Sequence, residues 1–595
     1  MLCWWLDTRR PALLLASLLI LCTALAFAPG IDTAGAAMST DVTFYVKADG
    51  SVYQQPAPIS TSDNSTYTFF AGWTYLGGDS ALVVERDNIV IDGAEFMLRG
   101  KAPNSNGITL VGRSNVTLTN MVITEFSRGI WLSGSSNNTI MGSDIASNLY
   151  GVELDRSSRN AICQNNIVGS SMPGIWLHGE SASNNSMVEN NITSNYYGVR
   201  ITEFSGNNSM VRNNITNNYD GIVLSSSSNN SVVGNTFVND GLLVFGSFEN
   251  AVSGNVVNGK PLVYLESETD YNVSDCGQIV LVNCDNIRVE SLNLSHTTVG
   301  LELWGTNNSK ILGNVIADNS YGITFWHSSN NSVLKNSITS NNYGFLLTES
   351  SSNFLCENIV ADNYNPGIVF TSFSDNNTIV GNNLTANAGY GLMLYESSNN
   401  LFYHNNVKGN GKTVYIGASG YANFWNSSIE GNYWSDYTGS DFTSDGLGEI
   451  PYVADANNTD YHPLMGVFSE FSATSEHHVQ IVSNSSIFGF HFTGTDICFN
   501  VTAEDGTSGF CRICIPTALM SDSFKVFVNG TEAAVSLLPC SNSTHTYLYF
   551  NYTHSTQEVI ITPESVSLLA LPFFVMPTLL VASVYRKRHK TSYSK

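Results

Sequence analysis

Positive charge is scarce in this sequence: 25 Lys and Arg against 49 Asp and Glu leave a formal charge of −24 over 595 residues. With no basic surface to neutralise phosphates, a nucleic-acid partner is excluded. Charge of either sign is thin, at 12% of residues, about half the quarter usual in soluble proteins. The helix-favouring Glu and Lys are few while Gly, Asn and Ser abound, which disfavours long helices and favours short strands joined by turns. General disorder is excluded as well, since 43% of residues are hydrophobic and 11% aromatic. Cysteine is modest at ten. Cys3 and Cys22 fall in the leader, and the pairing of the other eight is open. Cys511-Arg512-Ile513-Cys514 is a single C-x-x-C without the two further ligands a zinc site needs. On a strand its two thiols would point to opposite faces.

The two ends suggest export and anchoring. Arg9 and Arg10 precede an apolar run from Pro11 to Ala28, and Ala34, Gly35, Ala36 and Ala37 offer a cleavage site. An uncleaved anchor is the alternative. A second apolar run, Val566 to Tyr585, is long enough to span a bilayer and is followed by Arg586-Lys587-Arg588-His589-Lys590, a cytoplasmic flank by the positive-inside rule. The expected organisation is a signal peptide over 1–37, a right-handed parallel β-helix over 38–465, a β-sandwich-like stalk over 466–563, a transmembrane helix over 564–586 and a basic tail over 587–595. That arrangement places the bulk of the chain on the cell surface.

The middle is repetitive. A glycine followed by alternating apolar residues recurs at Gly129, Gly151, Gly174, Gly198 and Gly221, and again at Gly300, Gly322, Gly344, Gly367 and Gly391, every 22 to 24 residues. Such a period signals a solenoid. Alternation within each short strand sends Ile222 and Leu224 inward and Val223 outward. Pairs such as Asn184-Asn185, Asn207-Asn208, Asn229-Asn230, Asn307-Asn308 and Asn330-Asn331 suit the corners. There Asn tolerates left-handed backbone, and stacked amides can bond along the axis. All-β architecture follows.

Several stretches then carry a resemblance. Asn88-Ile-Val-Ile-Asp-Gly-Ala-Glu-Phe, Asn258-Gly-Lys-Pro-Leu-Val-Tyr-Leu with Gln278-Ile-Val-Leu-Val-Asn-Cys-Asp-Asn-Ile, and Gly431-Asn-Tyr-Trp-Ser-Asp-Tyr continuing to Asp460-Tyr-His-Pro-Leu resemble the opening, middle and closing segments of NosD-like surface β-helices, a carbohydrate-binding and sugar-hydrolase repeat group. The resemblance covers most of residues 42 to 465 and implies the fold. It does not select a chemistry, because this architecture hosts enzymes, adhesins and structural proteins. Gly509-Phe-Cys-Arg-Ile-Cys-Ile-Pro and Thr546-Tyr-Leu-Tyr-Phe-Asn-Tyr resemble the small all-β module that follows such helices in archaeal surface proteins.

Outward positions of the Gly strands give the candidate site residues. Trp131, Trp176, Arg200, Glu302, Trp304, Trp326 and Tyr395 form an aromatic and charged stripe suited to stacking on sugar rings, with glycans or other surface proteins as partners. The alternative is that these rings stabilise the sheet by cross-coil stacking. Glu153, Asp155 and His178, with Glu203 and Asp144 expected nearby, are the candidate catalytic cluster of a hydrolase or lyase. Their alternative is simple solvation. In the closing segment Asp436, Asp441, Asp445 and Asp455, with Gly446 and Gly448 between, resemble an acidic loop that would take calcium, although Glu449 stands where the family tends to have Asp. The competing reading is an Asx-turn cap over the open core. Copper, which the NosD-like resemblance carries by association, wants clustered His, Met or Cys. Here His178, His296, His327 and His404 are scattered, and Met187 and Met210 repeat in Asn-Asn-Ser-Met. Asn-x-Ser/Thr sequons are frequent, and those outside the repeat, at Asn484, Asn529 and Asn551, suit an exported glycoprotein.

Overall fold

A computed structural model describes residues 38–417, 421–520 and 523–563. The expected signal peptide, transmembrane helix and basic tail lie outside the described residues. Among the described residues no helix is long and apolar enough to cross a membrane.

The chain is all-β. Its repeat winds into parallel β-solenoid coils of three short strands, each strand pairing in register with its equivalents one coil away. In the Gly-strand face of the first solenoid, Ile130, Val152, Ile175, Val199 and Ile222 stack in one fully buried column. The leading glycines are explained by coil-to-coil approach. A Cβ on Gly151 would lie 2.4 Å from the carbonyl oxygen of Gly174, and one on Gly344 would lie 2.3 Å from that of Gly367.

The Asn pairs divide their labour. The first member takes the left-handed conformation, with φ of 58° at Asn184 and Asn207, 62° at Asn229 and 60° at Asn330. The second enters a buried ladder. In the Asn307-Asn308 pair the roles slip by one: Asn308 is left-handed (φ 52°) and Ser309 fills the ladder position. Parallel ladders run at the other corners, one of them through Asn314, Asn336, Asn358, Asn382, Asn405 and Asn432 to Asp460. Asn336 donates Nδ2 to Asn358 Oδ1 (3.0 Å) and to Ile311 O (3.0 Å), while its Oδ1 accepts both the backbone N–H and Nδ2 of Asn314 (2.9 Å each). Asn336→Ala should therefore cost about 1–3 kcal/mol for each donor left unpaired in the dry interior. Asn330→Gly, which keeps the left-handed turn, should change stability by less than about 0.5 kcal/mol. Denaturant melts of the two variants side by side check this.

The continuous interior implied by the repeat is divided. Within the solenoid the described residues form two hydrophobic cores, one running from Phe44 to Val257 and a second from Val273 to Trp434. Between them Val256–Val257 turns back through Asn258 (φ 50°) and Gly259 (φ 82°) into Lys260–Glu266 as a tight antiparallel hairpin. Asn-Gly is the pair such a turn requires. The last strand of the first Gly face, Leu242–Phe245, then meets no further coil. Side chains from the outward face of the second solenoid replace one. Gln278 both accepts from Leu242 N (2.9 Å) and donates to Leu242 O (2.6 Å), and Glu302 Oε2 accepts from Val244 N (3.0 Å). Thr298 Oγ1 accepts from Gly221 N (3.0 Å), and Thr297 Oγ1 donates to Asp240 O (3.1 Å). Val280, Val282 and Trp304 pack against the first core.

Trp425 and Trp434 close the second core. Beyond them two five-stranded antiparallel sheets pack on a common core, one beginning at Val467–Ser472 and the other at Ser486–Phe492. Cys511 faces that core, whereas Cys514 joins a separate cluster of Leu464, Phe468 and Tyr547. The eight cysteines described are all free thiols.

Candidate functional site

On the outward side of the first Gly face, successive coils bring Trp131, Glu153, Trp176 and Arg200 into one column. Ser133, Asp155 and His178 form a second. The residue preceding each Gly makes a third, through Arg128, Tyr150, Pro173, Tyr197 and Asp220. Arg128 and Tyr150 are additions to the expected site, although the register that aligns the other columns places them there.

Glu153 is the centre. Its side chain is only 3% exposed, and it is held by Arg128 Nε on Oε2 (2.6 Å) and by His178 Nε2 on Oε1 (3.2 Å). The opposite nitrogen of His178, Nδ1, lies 3.9 Å from Glu203, an exposed turn carboxylate. Trp176 stacks on His178 (centroids 4.0 Å apart) and on Tyr150 (5.3 Å), and its Nε1 donates to Thr202 Oγ1 (3.2 Å). Arg128 lies over the Trp131 ring at 5.3 Å. Asp155 is held by Arg156 and accepts from Ser133 Oγ (3.0 Å), contacts that keep its carboxyl below the ordinary value. Charge, aromatic surface and a paired imidazole thus converge within three adjacent coils, spaced about 4.8 Å apart.

Other expected members are elsewhere. Asp144 sits on the third face, where it accepts from Asn166 Nδ2 (3.1 Å), because its strand Asp144–Ala146 precedes the corner leading to the Gly face. Glu302, Trp304 and Trp326 do not continue the stripe, since they lie at the junction of the two solenoids. Glu302 is fully buried. Trp304 is 7% exposed and packs on Phe245 (5.0 Å), as does Trp326 (4.7 Å). The alternation in sequence correctly points these side chains outward, but the first solenoid covers them. Tyr395 follows Tyr390–Leu394, late in the second solenoid, and is not brought to the Glu153 cluster.

The closing loop gathers a different acidic set from the four aspartates expected. Asp441, Asp445 and Glu449 converge, with ligand atoms within 4.8 Å of one another. Asp436 instead meets Thr413 and Tyr452, and Asp455 accepts from Asn457 N and Asn458 Nδ2. The convergent carboxylates already accept local donors: Asp445 N and Gly446 N on Asp441, Leu447 N on Asp445, and Phe442 N with Thr443 N on Glu449. Those are contacts an Asx-rich turn makes within itself. A cavity of about 230 Å³ lined by Asp436, Tyr437, Pro451 and Tyr452 lies beside this loop and not at the Glu153 face.

Comparison with protein families matches the chain to the family described as periplasmic copper-binding protein (NosD), over residues 101–245 and 240–439. The match covers more than half of the chain. The chain belongs to the NosD family. Within this NosD-family chain the two matched segments meet at 240–245, where the first Gly face ends. No curated protein matches it. Among solved structures, a DFA-IIIase from Arthrobacter chlorophenolicus A6 is 14% identical, covering 47% of this chain and 67% of its own, at a TM-score of 0.25. The A-module of the mannuronan C-5 epimerase AlgE6 from Azotobacter vinelandii is 14% identical (58% and 91%, TM-score 0.20). The tailspike of E. coli bacteriophage HK620, solved with a pentasaccharide, is 9% identical (84% and 87%, TM-score 0.27). At such TM-scores no activity is transferred from them.

The family description raises copper, and the residues of this NosD-family chain do not fit it. Met187 and Met210 are adjacent in register but sealed in the core. His178, His296, His327 and His404 each pair with a carboxylate of their own, on Glu153, Asp318, Glu349 and Glu430. The one convergent ligand set among the described residues is the three carboxylates of the closing loop, the hard oxygen donors that copper sites do not favour.

Proposed function

We propose that this protein works outside the cytoplasm as a surface-anchored recognition solenoid, and that it holds carbohydrate on the outward Gly face at the coils running from Arg128 to Glu203. The observation carrying this reading is Glu153. A carboxylate 3% exposed, braced by Arg128 and His178, fixes a shelf of aromatic edges and hydrogen-bonding groups instead of a merely solvated acidic patch. The site is smaller than the stripe expected from sequence, and Trp131, Trp176, His178 and Arg200 are its ligand-facing members.

A glycan array probed with the intact protein tests the reading. Selective binding that falls at least tenfold in Trp176→Ala and His178→Ala supports it. Absence of binding, or binding indifferent to both variants, overturns it and leaves a rigid surface spacer.

A second reading is favoured by one specific contact. His178 is tied at Nε2 to a buried carboxylate while Nδ1 faces the exposed Glu203, the arrangement of a general acid–base imidazole. Hydrolase or lyase turnover would then release reducing or unsaturated ends from the glycans that bind, and His178→Ala would abolish that release.

A further inference from the structure

The guanidinium of Arg200 stands apart from the other charges on this face. Arg128 is neutralised by Glu153, and Arg156 by Asp155. Arg200 makes no ion pair and no hydrogen bond among the described residues, and its buried Nε has no acceptor. It rests on the Tyr197 ring at 4.7 Å, which leaves its nitrogens undirected by any protein oxygen. The acid nearest in register, Asp220, sits in the column of Tyr197. It is buried, which pushes its pKa up to about 7, and although its charge and that of Arg200 interact, the two form no ion pair or hydrogen bond among the described residues, so it is a poor counter-ion. Arg200 follows Trp176 by one coil in the outward column, immediately before Val223. A buried guanidinium nitrogen without an acceptor is costly unless an anion completes it. In a chain of net charge −24 no general surface potential would draw an anion there, so the attraction must be local.

We propose that Arg200 is the anion subsite of the glycan face, and that the ligand is an acidic sugar chain with a carboxylate on Arg200 while the neighbouring sugar lies over Trp176 and His178. This rests on the glycan reading above. The planar fork of Arg matches a carboxylate in two parallel hydrogen bonds, a geometry that Lys cannot reproduce. The spacing of adjacent coils, about 4.8 Å, is close to the rise of one sugar in an extended chain. A uronate one residue from the sugar at Trp176 would therefore meet Arg200.

The test compares three probes on the intact protein: oligogalacturonate, neutral galacto-oligosaccharide of equal length, and dextran sulfate. Oligogalacturonate should bind at least tenfold more tightly than its neutral counterpart, with a preference that weakens as salt rises. Arg200→Gln should collapse the uronate affinity to the neutral level, and Arg200→Lys should restore only part of it. Arg200 hydrogen-bonds no described protein group, and Arg200→Gln keeps a side chain over the Tyr197 ring, so a melt of this variant beside the parent separates loss of binding from loss of folding. Dextran sulfate binding as tightly, with the same dependence on Arg200, supports an anion subsite and assigns its selectivity to charge. Equal affinity for charged and neutral chains, or a uronate preference that survives Arg200→Gln, overturns the subsite while the glycan face stands. Failure of every probe to bind overturns both.

Discussion

Replacing Arg512 with methionine should destabilise the protein by about 3–5 kcal/mol, the cost of stranding a buried carboxylate. Arg512 is 2% exposed and its Nε donates to Glu430 Oε1 at 2.5 Å, while Nη1 donates to Asp445 O at 2.8 Å. On its other oxygen Glu430 is bound by His404 Nε2 (2.7 Å), and His404 in turn stacks on Phe468. This triad ties the closing turn of the second solenoid to the antiparallel sheets. Burial works against ionised Glu430, but His404 and Arg512 hold its pKa down to about 2. A depressed acid stabilises the fold above its ordinary pKa, and that contribution is lost as pH falls from about 4.5 towards 2. Calorimetry of Arg512→Met, Glu430→Gln and the double variant checks the coupling. The double variant should recover most of the loss, because it leaves no unpaired charge. Losses that simply add would show that the three groups do not act together.

A second large effect has the opposite pH sign. Asp240 and Glu302 are fully buried at the solenoid junction, each with one carboxyl oxygen lacking a partner, and Asp220 is close by. Burial pushes Asp220 up to about 7 and Asp240 up to about 8, and holds Glu302 well above the carboxylate range. The neighbouring groups only partly reverse this: the Ser320 hydroxyl and, more weakly, the charge of Arg200 act on Asp220, Asn218 donates to Asp240, and Val244 N–H donates to Glu302. Acids whose folded pKa is raised favour the fold when protonated. Their contribution is complete below about pH 4 and is lost as pH climbs through 7 and 8. Between pH 5 and 8 the stability should therefore fall by on the order of several kcal/mol, since each tenfold change in acid strength is worth about 1.4 kcal/mol. Asp240→Asn, which extends the Asn218 ladder, and Glu302→Gln should each raise the melting midpoint at pH 8 and leave it nearly unchanged at pH 5. A flat pH profile, or variants that gain equally at both pH values, would show that these carboxyls are not carrying protons into the fold.

What can be read from the sequence is local and periodic. Gly151, Ile175, Asn185 and their equivalents repeat because every coil solves the same packing problem, so strand, corner and register are legible from one coil. The junction is not. The pattern breaks between Gly221 and Gly300 and then resumes, but that break does not state that the chain reverses at Asn258-Gly259. Periodicity states which way Glu302, Trp304 and Trp326 point, but it does not state what covers them, since the covering residues lie up to several coils earlier. The pairing of Glu153 with Arg128 is within reach of the repeat, one coil and three positions back. The pairing of Glu430 with Arg512, 82 residues apart, is not, because no repeat connects the closing turn to the sheets beyond it. In the sequence Arg512 is merely a residue between two cysteines.

The side-chain cap on Leu242–Phe245 sets which changes in coil number the protein can survive. Inside either solenoid a coil touches only its two neighbours, so whole repeats can be duplicated or deleted with every ladder closing again across the cut. At the junction Gln278, Thr297, Thr298 and Glu302 are matched to individual backbone groups of Leu242, Asp240, Gly221 and Val244. An inserted coil there would face them with a different edge. A chain ending at Val257 would leave that edge bare for another molecule to pair with. Each solenoid is free to drift in length on its own, but the two are bound to be inherited together.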